Sequence, residues 1–271
     1  MLKHRLLTAI ILIPIVIWVL SLSSPILAIA MGIIVTIGAW EWAAICGWQS
    51  LLNRSLYSIA TTMVLIGIYW FWQQSIMLYI LMIACLWWLL AIYWVIRYQQ
   101  GYKLLPTTSF NKALLGFLLL IPTWIALLFL HQHFDWHWVV FLLVLIWSAD
   151  SGAYFAGRKW GKTQLASHIS PKKTWEGVGG AVLLSSYFAL GYAWFTSMSL
   201  LTASLFLLLC FLTVAVSIIG DLLESLFKRQ MGLKDSGQIL PGHGGILDRI
   251  DSLTAAAPIF VTSLIFLEKI L

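Results

Sequence analysis

Long apolar runs broken by short polar connections organise this chain. Runs able to cross about 30 Å of hydrocarbon need about 20 residues each. They fall at roughly 6–22, 26–46, 56–72, 75–96, 113–130, 137–156, 177–195, 200–220 and 253–270. The pattern predicts nine transmembrane helices and an all-α, polytopic membrane fold. Trp70, Trp72, Trp136 and Trp138 stand at run edges, where amphipathic rings suit headgroup depth.

Composition agrees. Of 271 residues, 61% are hydrophobic and 10% charged, with a mean hydropathy of +0.94, too little charge for the surface of a soluble domain. Cations collect in short cytoplasmic loops, which sets the orientation. With the N-terminus inside, Lys3, Arg5, Arg54, Arg97, Lys103, Lys112 and the clusters at 158–173 and 228–249 are cytoplasmic, whereas Lys269 falls outside. The opposite loops, SLSSP, WQQS, HQHFDWH and TSMS, contain no Lys or Arg. The C-terminus is then expected outside. The opening MLKHR and its apolar run have the form of a secretory signal, with Ala28 and Ala30 as a small-residue pair. The run continues through Pro25 into another full span, which favours a first membrane helix. Cys46, Cys85 and Cys210 are scattered in apolar segments and suggest neither a disulfide framework nor a zinc site. A net charge of +6 suits anionic headgroups and accounts for isolated cations, but not for clusters.

Seven of the 26 charged residues lie between Ser148 and Glu176 and nine between Asp221 and Asp251. The chain therefore divides into an N-terminal scaffold, 1–130, of about five spans and a C-terminal region, 131–271, of about four, within one membrane unit. The scaffold offers no chemical motif. Its Glu41, in GAWEWAAI, is either a functional intramembrane acid or a helix-end residue reaching the interface.

Four stretches carry candidate chemistry. In WSADSGAYFAGRKWGKT, Asp150, Ser151, Tyr154 and Arg158 recur at helical spacing, a polar stripe that must avoid lipid; a structural contact between helices is the alternative. In SPKKTWEG, Pro171 interrupts helix, and Lys172 and Lys173 beside Trp175 and Glu176 suit a phosphate-bearing ligand with a stacking group. Paired lysines at a membrane boundary are also the ordinary positive-inside signal. In GDLLESLFKRQMGLKDSG, Asp221, Glu224, Ser225 and Lys228 share one helix face while Leu222, Leu223, Leu226 and Phe227 cover the other, with Gly232 as a stop. In PGHGGILDRID, Pro241 and three glycines make a tight loop that offers backbone N–H groups to anions. The helix after it begins near Ile246, with its positive end at the same place; Asp248 and Asp251 share a face and Arg249 projects between them.

Together these predict a cytoplasmic-face site of carboxylates, cations and glycine-rich backbone. Carboxylates in that company suit Mg²⁺, a hard ion that binds with substrate phosphates, and two metal ions could clamp the attacking and leaving oxygens. Phosphoryl or nucleotidyl transfer at a membrane surface follows.

Ser225, Lys228, Arg229, Lys234, Asp235, Gly237, Leu240, Pro241, His243, Gly244, Gly245, Ile246, Asp248, Arg249 and Asp251 resemble, at full spacing, the signature of the phosphatidate cytidylyltransferase (CDP-diacylglycerol synthase) family. The upstream SADSGAYFAGRKWGKT and SPKKTWEG are similar to this family as well, so recognisable motifs run from about 147 to 252. The first half resembles the family only as a series of spans. The resemblance implies cytoplasmic catalytic loops and Mg²⁺-dependent conversion of CTP and phosphatidate to CDP-diacylglycerol and pyrophosphate. On this reading Asp221 and Asp248 hold metal with support from Asp251, and Asp150 completes the shell or orients a ligand. Lys172, Lys173, Lys228, Arg229 and Arg249 hold phosphates, with Ser225, Lys234, Gly244 and Gly245 as further substrate-binding positions. The loop at His243 closes over the phosphates; His243 is better suited to position phosphate than to act as a base. Expected partners are CTP, phosphatidate and membrane lipids, not nucleic acid, with a homodimer as the candidate assembly. The expected location is a bacterial inner membrane.

Two rival functions fit parts of the pattern. A CTP-dependent polyprenol or dolichol kinase would transfer the γ-phosphate and release CDP. A transporter of a phosphorylated solute would use Asp150 and Asp221 for coupling, but would place its acids near mid-membrane within inverted repeats. The loop histidines His131, His133 and His137 have spacing that could bind metal, although interface histidines are more often plain polar residues.

Overall fold

The computed structural model describes residues 14, 16–102, 105–239 and 244–270. Eight helices among them are long and apolar enough to cross a membrane. They are α1 (Ser24–Ile45), α2 (Leu51–Trp70), α3 (Gln74–Gln99), α4 (Ser109–Phe134), α5 (Trp136–Trp160), α6 (Trp175–Phe195), α7 (Leu200–Gln230) and α8 (Leu247–Ile270). Each falls on one of the expected second to ninth spans. The expected first span, and with it the signal-like opening, lies largely outside the described residues; Val16–Leu20 at its end is helical.

Polar side chains set several starts. Ser50, Thr108, Thr174 and Ser199 each accept a hydrogen bond from the backbone N–H three residues on, satisfying a donor that the first turn leaves unpaired. Gly47 and Gly232, with φ of 92° and 67°, follow the ends of α1 and α7 in the left-handed conformation that glycine tolerates.

The largest departures from the apolar runs are at α7 and α8. The run 200–220 continues as helix to Gln230, and the last helix begins at Leu247, ahead of the run at 253, in line with the helical spacing of 221–228 and the expected start near Ile246. Apolarity marks only the stretch in hydrocarbon, whereas the backbone keeps its i→i−4 bonds into the polar zone wherever the side chains allow. At 31 residues, α7 is about 46 Å long, and its added turns carry Asp221, Glu224 and Lys228. Between α5 and α6 the chain forms an antiparallel hairpin, β1 (Gln164–Ala166) with β2 (Ser170–Thr174). Periodicity does not reveal elements this short.

The helix α4 is the most enclosed, and large side chains fill the interior; Trp42, Trp88, Phe206, Phe227 and Phe260 are fully buried. Other large apolar residues, including Leu86, Leu183, Tyr187 and Phe195, are exposed on the outside of the bundle, as a lipid-facing surface requires. Two glycine crossings fix the geometry around the polar end. Gly152 on α5 meets Gly180 on α6 so closely that a Cβ on either would overlap the other's carbonyl, and a Cβ on Gly220 of α7 would lie 2.7 Å from the Asp251 carbonyl oxygen of α8. Small residues permit such backbone approach in membrane bundles.

Candidate active site

The Gly220 crossing brings Asp221 on α7 beside Asp251 on α8, and the Gly152 crossing holds α5 against α6 and the hairpin. Between these elements lies a cavity of about 490 Å³. Asp150 and Tyr154 enter it from α5, Lys172 and Lys173 from β2, Asp221 and Lys228 from α7, and Asp248, Arg249 and Asp251 from α8. The charged clusters at 148–176 and 221–251 therefore share one site.

Lys173 Nζ forms an ion pair with Asp221, and the Ser225 hydroxyl donates to the other Asp221 carboxylate oxygen at 3.2 Å. Deeper in, Lys228 Nζ donates to Asp248 Oδ1 at 2.5 Å and lies 3.2 Å from Glu224 Oε1. Asp248 Oδ2 also accepts from the backbone N–H groups of Gly245 at 2.8 Å and Ser236 at 3.0 Å. Buried charges persist only when paired and hydrogen-bonded, and these contacts fix Lys228 and Asp248 relative to each other.

Not every position of the expected set lines the cavity. Arg229 is exposed and donates to the carbonyl oxygens of Ile169 and Leu233, tying α7 to the hairpin. Lys234 is exposed and outside the lining, as is Trp175. Glu176 accepts from the Thr163 N–H and closes the hairpin base. The stripe on α5 divides: Asp150 and Tyr154 reach the cavity, Ser151 lies in a separate groove of about 590 Å³ between α5 and α6, and Arg158 donates to the Tyr154 hydroxyl at 3.0 Å. His243 and Pro241 lie outside the described residues.

The backbone from Gly245 holds anions, but ones belonging to the chain. The Gly245 N–H meets Asp248, and the N–H groups of Ile246 and Leu247 at the start of α8 meet Glu41 of α1 at 3.1 and 2.7 Å. Glu41 is 1% exposed, enclosed by protein rather than open to its surroundings. Its partners lie some 200 residues away in sequence, and no local pattern signals that contact. Asp235 also lines the cavity; the signature contained it, without a role.

The donor set suits a hard divalent cation. Five carboxylates and four cations line the cavity, too few positive charges to match a triphosphate and a second phosphate together. Glu224, whose carboxylate oxygens are buried, lies beside Lys228, with Oε1 3.2 Å from its Nζ. Among the described residues no three acidic, His or Cys side chains form a ready ligand group. Mg²⁺ does not require one, since it takes one or two carboxylates plus waters and substrate phosphates rather than a protein cage. A carboxylate has about four lone-pair sites, so Asp221 and Asp248 keep acceptor capacity beyond their present bonds.

The fold and site define a polytopic membrane protein with a charged pocket, of a kind suited to phosphate-bearing ligands. Its relatives narrow that class. The profile of the cytidylyltransferase family matches residues 3–267. A phosphatidate cytidylyltransferase of Pseudomonas aeruginosa is 40% identical over 97% of both chains. One of Haemophilus influenzae is 38% identical over 96% of this chain and 97% of its own. One of Bacillus subtilis is 37% identical over 58% of this chain and 61% of its own. The chain belongs to the cytidylyltransferase family and is a membrane-embedded nucleotidyltransferase.

Proposed function

We propose that the protein converts CTP and phosphatidate to CDP-diacylglycerol and pyrophosphate, the reaction named for its relatives. The convergence of Lys172, Lys173, Lys228 and Arg249 with Asp150, Asp221, Asp248 and Asp251 at the polar end of a lipid-facing bundle carries this reading. A diacyl tail can stay in the bilayer while its phosphate enters such a cavity and CTP arrives from water. From the distribution of Lys and Arg, that water is the cytoplasm, and the membrane is a bacterial inner membrane.

A phosphatidate phosphate oxygen attacks the α-phosphorus of CTP in line. A new P–O bond forms, the bond from the α-phosphorus to the oxygen bridging to the β-phosphorus breaks, and pyrophosphate leaves with that electron pair. The nucleophile is already an anion, so no general base is required. Lys172, Lys173 and Arg249 neutralise phosphate oxygens and orient them. Lys228, held between Glu224 and Asp248, presents a fixed charge where negative charge grows, the arrangement most effective in lowering a barrier. Asp221, Asp248 and Asp251 would hold Mg²⁺, which when bound supplies further charge neutralisation. Asp150 orients ligands from α5.

The test is purified protein in mixed micelles containing phosphatidate, with CTP labelled at the α-phosphate. Label in an extractable CDP-lipid supports the reading. Label left in CTP by folded protein overturns it, and a polyprenol acceptor that becomes phosphorylated would identify a kinase instead.

A further inference from the structure

Glu41 is the residue of the N-terminal scaffold that touches the signature segment most intimately. Its carboxylate accepts from Ser236 Oγ at 3.0 Å, Ile246 N at 3.1 Å and Leu247 N at 2.7 Å. The seat is made to measure: a Cβ on Gly237 or on Gly245 would collide with Glu41 carboxylate oxygens. Two of the donors are N–H groups at the start of α8, which are left over by helix geometry and attract negative charge. Glu41 thus supplies from a distant helix the cap that a local Ser or Asp usually provides.

The backbone groups around this cap also hold the site. Ser236 donates its hydroxyl to Glu41 and its N–H to Asp248, and the Gly245 N–H beside the seat goes to Asp248. Neighbouring residues anchor Glu41 in turn. Trp42 Nε1 donates to the Lys112 carbonyl oxygen at 2.8 Å and its ring meets Phe227 of α7 edge-on at 5.4 Å, while the Arg54 guanidinium lies over Trp40 at 4.4 Å.

We propose that Glu41 is a positioning residue: it clasps Ser236 and the start of α8 at Ile246 and Leu247 to α1 and so holds Asp248, Arg249 and Asp251 in the register that the cavity requires. Its effect on rate rests on the function proposed above; its effect on local order does not.

The experiment compares Glu41→Gln and Glu41→Ala with the unaltered protein in micelles. Hydrogen exchange across 236–249 is followed without substrate, alongside rates of CDP-lipid formation over ranges of CTP and phosphatidate. Gln keeps the size but offers one acceptor oxygen and no charge, so it serves if the Ala protein does not fold. The expected result is faster exchange confined to 244–248, with α5 and α7 unchanged. The turnover number should fall about 10- to 100-fold, as misplacement of catalytic groups does, with KM for CTP changing much less. Unaltered exchange at 244–248 overturns the proposal. So does acceleration spread evenly over all helices, which would mark a merely structural acid, or a turnover number within about twofold of the original. If the unaltered protein makes no CDP-lipid, the proposed reaction fails, and the exchange data still decide whether Glu41 holds the segment.

Discussion

Lys228 on α7 and Asp248 on α8 are joined across 2.5 Å, with both side chains only 8% exposed. The pair links the two helices that cross at Gly220, and it sets a charge of each sign at the inner wall of the cavity.

Breaking that pair from one side should cost more than its own worth. Lys228→Met leaves Asp248 and Glu224 facing each other without their shared cation, so we expect a stability loss of about 3 kcal/mol or more together with loss of turnover. Lys228→Met with Asp248→Asn should recover part of the stability and none of the activity. Denaturant titration in micelles and the labelled-CTP assay read the two effects separately.

The Lys173–Asp221 pair is different, since its side chains are 27% and 28% exposed. Asp221→Asn should cost no more than about 1 kcal/mol of stability but lower turnover about 100-fold or more, in the range seen when a group stabilising transition-state charge is removed. Near-normal turnover of Asp221→Asn at limiting Mg²⁺ would show that Asp221 does not hold the metal.

Removing divalent cations should abolish product formation, and Mg²⁺ should restore it. Four cations among five carboxylates in the cavity cannot alone neutralise both substrates. Full activity of chelator-treated protein would mean that the lysines and Arg249 suffice.

Gly220→Ala should impair activity out of proportion to its size. The added methyl would meet the Asp251 carbonyl oxygen and the Ala255 Cβ, forcing α7 and α8 apart beside Asp221 and Asp251. Overpacking of this kind costs about 1–3 kcal/mol. Gly179→Ala, at a position open to space, is the control expected to leave both properties near their original values.

A membrane-impermeant thiol reagent tests orientation. Lys234→Cys should be labelled only from the cytoplasmic side and Ser197→Cys only from the opposite side, in a background where Cys46, Cys85 and Cys210 are replaced by Ala. The reverse pattern would invert the proposed topology.

Much of this was legible along the chain because membrane insertion imposes a simple rule. Apolar runs of sufficient length must become helices, since lipid offers no partner for backbone groups, and all eight described helices coincide with such runs. The site residues were legible for a related reason: charge is costly in hydrocarbon, so Asp150, Lys172, Lys173, Asp221, Lys228, Asp248, Arg249 and Asp251 stood out against an apolar background. Arg229 and Lys234 also bear charge but stand outside the cavity lining, Arg229 on the carbonyl oxygens of Ile169 and Leu233 and Lys234 exposed. A charged residue near a site and one lining it look alike in sequence.

What the sequence by itself determined was therefore the class of fold, the helices, the family and most of the charged groups that meet in the cavity. Periodicity and charge cost act over one helix at a time, and one helix is enough to express them. Tertiary structure alone decided which groups pair with which. It set Lys173 against Asp221 and Lys228 between Glu224 and Asp248, and it turned Glu41 from an isolated acid of the scaffold into the cap of α8. Those contacts depend on glycine-permitted helix crossings and on chain segments up to 206 residues apart, and a pattern read along the chain carries no information about such distances.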